Sequence, residues 1–207
     1  MSGQIAPTKS NLMKAKSALA LSQSGFELLD KKRNVLIKEM MELVDRAKTI
    51  QADIYDVIAE AYQALQTANI TMGIRDVEDM TYSIPNDEAF EVLLKSVMGV
   101  DIPTIRYKKA DIMPSYGFFN TNSSLDVARV KFNEVRYRIY ELAQIENSIF
   151  KLAKEIEKTN KRTNALQHMQ IPKYKDQVKR IQEVLEEKDR EDFFRLKRVK
   201  KKIKQVE

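Results

Sequence analysis

From Thr8 to Ala68 the chain carries an apolar stripe at alternating steps of three and four, with no proline and a single glycine, Gly25. Starting at Leu12, the stripe runs through Ala15, Leu19, Ser22, Phe26, Leu29, Arg33, Leu36, Met40, Leu43, Ala47, Ile50, Ile54, Val57, Ala61, Ala64 and Ala68. Only Ser22 and Arg33 interrupt it. A 3.5-residue repeat held over this length specifies a coiled-coil seam, because it keeps one helix face against a supercoiling partner. A helix over Leu12–Ala68 would be roughly 85 Å long at about 1.5 Å per residue. Such a stripe cannot stay in water, so a partner of similar length is required.

The C-terminal part supplies one. Ala128, Phe132, Val135, Ile139 and Leu142 form a second stripe. It shifts by a three-residue step to Ile145, Ile149, Leu152, Ile156, Thr159, Thr163 and Leu166, a change that would locally overwind a supercoil. Pro172 predicts a kink. Val178, Ile181 and Leu185 restart the stripe, and Leu196, Val199 and Ile203 end it. From Ser124 to Val206 a continuous helix would reach roughly 125 Å, longer than its partner, so one end should carry a single-helix extension.

Between the two stripes the helical period is lost. Residues 73–123 hold Gly73, Gly99, Gly117, Pro85, Pro103 and Pro114. Val100, Ile102 and Thr104 alternate as in a strand, and Pro103 argues against helix there. Asp87–Val97 fits either a strand or a short helix on periodicity alone. The expected fold is dominated by α-helix: a long antiparallel two-helix coiled coil with a small β-hairpin-like middle segment at one end. The expected divisions are 1–72 (N-terminal helix, after a disordered lead over residues 1–6), 73–123 (middle segment) and 124–207 (C-terminal helix with a basic tail). Thr8 is placed to cap the first helix, Gly73 to stop it, and Ser123 or Ser124 to cap the next, with Asp126 near its N-terminus.

Composition narrows the chemistry. No cysteine is present, so neither disulfides nor thiolate nucleophiles exist. The single histidine, His168, is read as a surface residue of the coil. No phosphate-binding loop or dinucleotide fingerprint occurs. Acidic clusters such as Glu186-Glu187 stand beside Lys188 and Arg190 and read as solvated helix faces. No catalytic, cofactor-binding or metal-binding residues are expected, and the chain is read as a non-enzyme. No apolar run approaches the ~20 residues of a membrane span and no signal peptide is visible, so the expectation is a cytoplasmic protein without direct membrane insertion.

The net charge of +6 resides in one place. Arg195–Glu207 holds seven basic residues and one acid, leaving 29 basic and 29 acidic residues elsewhere. This end suits an acidic partner surface, nucleic acid or anionic lipid, and a solvated tail is the equally good plain reading. Nucleic-acid binding is disfavoured, because no recognised binding fold accompanies the tail.

Ordered wording carries the reading further. Pro7-Thr8-Lys9 with Leu12, Gly25 followed by Leu28-Leu29 and Lys31-Lys32-Arg33, and Glu155-Ile156-Glu157-Lys158-Thr159 appear in order. Arg162-Thr163-Asn164-Ala165-Leu166, Ile171-Pro172 and Arg190-Glu191-Asp192-Phe193-Phe194-Arg195-Leu196-Lys197 follow. Together they resemble the D subunit, the central rotor shaft, of the V-type/A-type rotary ATPases and ATP synthases of bacteria and archaea. Lys161 and Thr163 depart mildly from that pattern, where arginine and valine are commoner. The resemblance favours a strand at Phe90–Val97. It implies a central stalk that couples ATP hydrolysis or synthesis in a surrounding hexamer of A and B subunits to rotation and ion transport. It further implies binding of the small F subunit of the rotor at mid-coil. The C (or d) subunit would join the shaft to the membrane ring. On this reading the chain is peripheral to the membrane through the complex. Arg195, Lys197, Arg198, Lys200, Lys201 and Lys202 are the expected contacts to the hexamer. The competing reading is a homodimeric cytoplasmic coiled-coil scaffold or adaptor.

Overall fold

The computed structural model describes residues 6–85, 90–108, 113, 115–117, 119 and 121–203, with the side chains of 202 and 203 outside that description. Its elements are helix α1 (Lys9–Met72), helix α2 (Ile74–Thr81), strands β1 (Phe90–Val97) and β2 (Val100–Tyr107), helix α3 (Ser123–Ala165), a π-helical turn (Leu166–Gln170) and helix α4 (Ile171–Ile203). The chain forms two compact units: residues 1–34 with 157–207, and residues 35–156. The stretch around Asp87, and Phe118, Lys204 and Glu207, lie outside the described residues, as does the predicted lead except for Ala6.

Helix α1 starts as the sequence specifies. The Asn11 backbone N–H donates to Thr8 Oγ1 at 3.2 Å, and the Leu12 N–H donates to the Thr8 carbonyl at 2.9 Å. Thr8 therefore satisfies one of the donors that the first helical turn leaves without an intrahelical acceptor. Every one of the seventeen seam positions from Leu12 to Ala68 is buried or half-buried, with Leu36, Ala61 and Ala68 fully closed to solvent.

In the first unit the two polar seam residues are satisfied locally. Ser22 Oγ donates to the Ala18 carbonyl one turn back at 2.8 Å. Arg33 pairs with Asp30 at 2.5 Å and reaches Asn160 Oδ1 at 3.5 Å, its stem lying along the seam with the head at the rim. Gly25 lies beside Leu166, where an added Cβ would sit 3.9 Å from Leu166 Cδ1, in ordinary contact. Thr163, buried, donates to the Thr159 carbonyl at 2.8 Å.

In the second unit α1 and α3 run antiparallel. Glu60 meets Lys131 at 2.6 Å, Gln51 meets Glu146 at 3.4 Å, and Thr71 meets Ser124 at 2.9 Å. The α3 seam is shared between neighbouring positions: Ala128, Val135 and Ile145 are buried and Leu142 half-buried, while Lys131 beside Phe132, at 35% and 36% exposure, and Arg138 beside Ile139 are each partly covered. The stems of Lys131 and Arg138 share the covering with those apolar neighbours. With these positions the three–four alternation is unbroken through Leu142–Ile145, and no overwinding step is needed there.

The phase correction comes later, in the first unit. Covered positions step from Leu166 to Gln170 to Tyr174, two fours in succession. The π turn absorbs the extra residue: the Ile171 N–H donates to the Leu166 carbonyl, five residues back. Pro172 explains the location, since its ring displaces a carbonyl one turn earlier and it brings no N–H. The expected kink takes the form of a widened turn.

Gly73 does stop α1, at φ 97°, a conformation that favours glycine. The chain then resumes at once as α2, which the sequence pattern does not separate from the middle segment. Val77 of α2, Ala68, Tyr116 and Leu125 make one apolar cluster, joined by Leu65, Met72, Met80 and Ile84. The cap of α3 is one residue earlier than expected, because the Leu125 N–H donates to the Asn122 carbonyl at 3.0 Å. Asp126 accepts the Tyr116 hydroxyl proton, and Arg129 holds the Met113 carbonyl at 2.9 Å.

The hairpin forms in the expected stretch of the sequence, but not as a tip at the end of the helix pair. Met98 and Gly99 both take positive φ, 53° and 79°, the two-residue geometry whose twist matches the strands. The register pairs Val97 with Val100 and Phe90 with Tyr107. The hairpin lies along the second unit's helix pair. Val100 is buried with Leu36 and Leu152, beside Met40, Leu43, Ile102 and Ile156. At the other end Tyr107 stacks on Tyr137 at 4.9 Å, and Phe90 meets Tyr140 at 5.4 Å.

Candidate partner-binding surfaces

Two surfaces stand out. The first is the end of α4. Residues 186–201 are exposed throughout, whereas Ile181 is buried and Val184 and Leu185 are half-buried. Seam geometry explains the change, because helix α1 begins at Lys9 and its seam extends no further along α4. The stripe itself continues: Phe193, Phe194, Leu196 and Val199 are each more than half exposed.

Charge along this segment is segregated. Residues 186–192 include Glu186, Glu187, Asp189, Glu191 and Asp192, and residues 195–202 hold six bases and no acid. Arg195 is shared with Glu191 at 3.7 Å and Asp192 at 3.8 Å. Lys197, Arg198, Lys200 and Lys201 have no ion-pair partner among the described residues and project into solvent. The Lys202 backbone is helical, and its side chain lies outside the described residues. Bases at a helix C-terminus also oppose the helix dipole favourably, so part of this pattern stabilises the helix end. The apolar stripe between the bases is not accounted for in that way, and its exposure makes this end a candidate surface.

The second surface escapes a reading of the sequence because two of its members look like seam residues. Phe132 and Ile139 are partly exposed on α3, seven residues apart, and Tyr55 and Tyr62 are largely exposed on α1. Tyr62 packs edge-on to Phe132 at 5.7 Å, and the antiparallel register brings Tyr55 level with Ile139. The signal is nonetheless present: a strict alternation from Ala128 selects Lys131 and Arg138, leaving the two large residues outside.

His168 is exposed on the π turn, as expected of a coil-surface residue. No group of His, Asp and Glu suited to a metal ion occurs among the described residues. No helix among them is long and apolar enough to cross a membrane.

These features define a class: a coiled-coil protein with exposed apolar faces. Residues 11–201 match the family of ATP synthase D subunits, and the chain belongs to that family. It is 40% identical over 199 residues to the V-type ATP synthase D subunit of Thermotoga neapolitana, covering 96% of this chain and 98% of that one. It is 36% identical over 200 residues to the A-type ATP synthase D subunit of Pyrococcus furiosus, covering 95% and 94%. With the corresponding A-type protein of Methanosphaera stadtmanae it shares 37% identity over 206 residues, covering 98% and 96%.

Proposed function

We propose that the chain is the central-stalk rotor subunit of a V/A-type ATP synthase, a non-catalytic shaft that couples nucleotide chemistry to rotation and ion transport across the membrane. The near end-to-end correspondence with relatives named as D subunits carries this reading. Nucleotide would bind on the surrounding A and B subunits, and this chain would transmit torque. A supercoiled helix pair suits that task, since the two helices brace each other against bending.

The exposed end of α4 would enter the hexamer. Lys197, Arg198, Lys200 and Lys201, with Arg195 and Lys202, would meet polar or acidic lining, while Phe193, Leu196 and Val199 would bury apolar area. The small F subunit of the rotor would cover the Tyr55–Tyr62–Phe132–Ile139 face, and the C (or d) subunit would link the shaft to the membrane ring. The chain would thus be cytoplasmic and membrane-associated through its complex.

The test is Lys197→Gln, Arg198→Gln, Lys200→Gln and Lys201→Gln together in a reconstituted complex. Lower assembly yield or lower torque at normal fold stability supports the reading. Unchanged ATPase activity and torque would contradict this role for the tail.

A further inference from the structure

The hairpin leaves one edge open. Its two-residue turn closes on the pair Val97–Val100. Such a turn closes on a hydrogen-bonded pair, and bonded and non-bonded pairs then alternate along the ladder. Phe90, Val92, Leu94 and Ser96 accordingly turn their N–H and C=O groups away from β2. On β2 the same parity selects Asp101, Pro103, Ile105 and Tyr107. That edge is partly closed: the Ile105 N–H donates to Gln144 Oε1 of α3 at 2.8 Å, and Pro103 has no N–H to offer. On β1 no backbone hydrogen bond among the described residues arrives from outside the hairpin. Residues 90–96 are all exposed, Val92 and Leu94 at 57% and 66%. β1 contains no proline, and its register runs without a bulge. This apolar, regular edge is eight residues long, and such an edge is a template for another strand.

The sequence of β1 specifies which strand. Laid antiparallel against itself about a two-fold axis through Leu93, β1 places Glu91 opposite Lys95 of the second copy, and does so twice. The same register pairs Val92 with Leu94 and Phe90 with Ser96, which are the residues whose backbone groups point outward. Hydrogen-bonding parity and charge thus agree on one register. The neighbouring centres fail: parity excludes pairing centred between two residues that differ in orientation, and centring on Leu94 or Val92 puts neither Glu91 nor Lys95 opposite the other.

We propose that β1 is a self-recognition edge, through which two free copies of this chain pair their hairpins into a four-stranded antiparallel sheet centred on Leu93. A foreign strand could use the same backbone groups; a second copy is in addition matched at both charged positions. The proposal concerns the chain before it joins other subunits and does not rest on the rotor reading. It is tested on the isolated chain, so its failure leaves that reading intact.

Sedimentation equilibrium of the purified full-length chain is the direct experiment. Wild type should show a reversible monomer–dimer equilibrium. Glu91→Lys alone and Lys95→Glu alone should each raise the dimer dissociation constant roughly tenfold, since each turns two attractive cross-strand pairs into two like-charge pairs. The two single variants mixed should dimerise with each other again, because each supplies the charge the other lacks. That rescue also shows that both variants fold. A wild-type chain that stays monomeric at every concentration would overturn the proposal. So would a dimer indifferent to the single substitutions, or single variants that fail to rescue each other.

Discussion

Helix α4 contains two stretches of the same stripe with opposite fates. Val178, Ile181 and Leu185 are covered, and further along the helix Leu196 and Val199 stand in solvent. Spacing and residue type barely differ between them. The difference is the length of α1, which has nothing left to pair with the second stretch. Periodicity therefore states which face of a helix is apolar, and the reach of the partner decides whether that face is core or binding surface.

The comparison can be broken at either end. The largest expected effect is on the covered side. Ile181, buried in the covered stretch of α4, should cost about 3 kcal/mol as Ile181→Ala, through the cavity it leaves. Leu196→Ala should change the unfolding midpoint by an amount equivalent to under about 0.5 kcal/mol yet weaken assembly. Equal thermal shifts for the two variants would show that the end of α4 is packed after all.

Thr8→Ala comes next. It removes the acceptor for the Asn11 N–H and should cost about 1 kcal/mol, read as a lower midpoint and faster hydrogen exchange at the start of α1.

The mid-coil face offers a third test. Tyr62→Ala with Phe132→Ala should leave the melting temperature within a few degrees, because both rings are substantially exposed. It should abolish capture of the small rotor subunit in a pull-down. Undiminished capture would move that contact elsewhere.

The smallest effect is alkaline. Burial, and then the hydrogen bond to Asp126, raises the Tyr116 phenol above its ordinary 10.0. Burial, followed by the Glu141 charge, raises Tyr107 likewise. The folded state thus favours protonated phenols. Their contribution is whole below about pH 10 and is lost as pH climbs through the raised values. Tyr107→Phe with Tyr116→Phe should flatten the decline of stability above about pH 10, measured by denaturant titration.

Much of the fold was legible. The α1 seam, the Thr8 cap and the Gly73 stop depend on local spacing or backbone chemistry, and the sequence displays both; the Phe90–Val97 strand is open on periodicity and is favoured by the family resemblance. Three features were not. Helix α2, eight residues long, is too short for its period to register and is fixed by Val77 reaching a cluster built from three other segments. The α3 seam is shared by the stems of Lys131 and Arg138 with Phe132 and Ile139, and a stripe of apolar letters shows only the latter. The π turn reconciles two stripe phases, and only Pro172 hints at its position. The candidate surfaces divide the same way: the basic end shows in composition, whereas the Tyr55–Phe132 face emerges only once the seam is placed correctly.

The most direct measurement is native mass spectrometry of the tagged chain recovered gently from its own cells. The account predicts one copy bound with three plus three nucleotide-binding subunits and one small rotor subunit. Recovery of the chain free of those subunits, or with two copies in one such assembly, would contradict it.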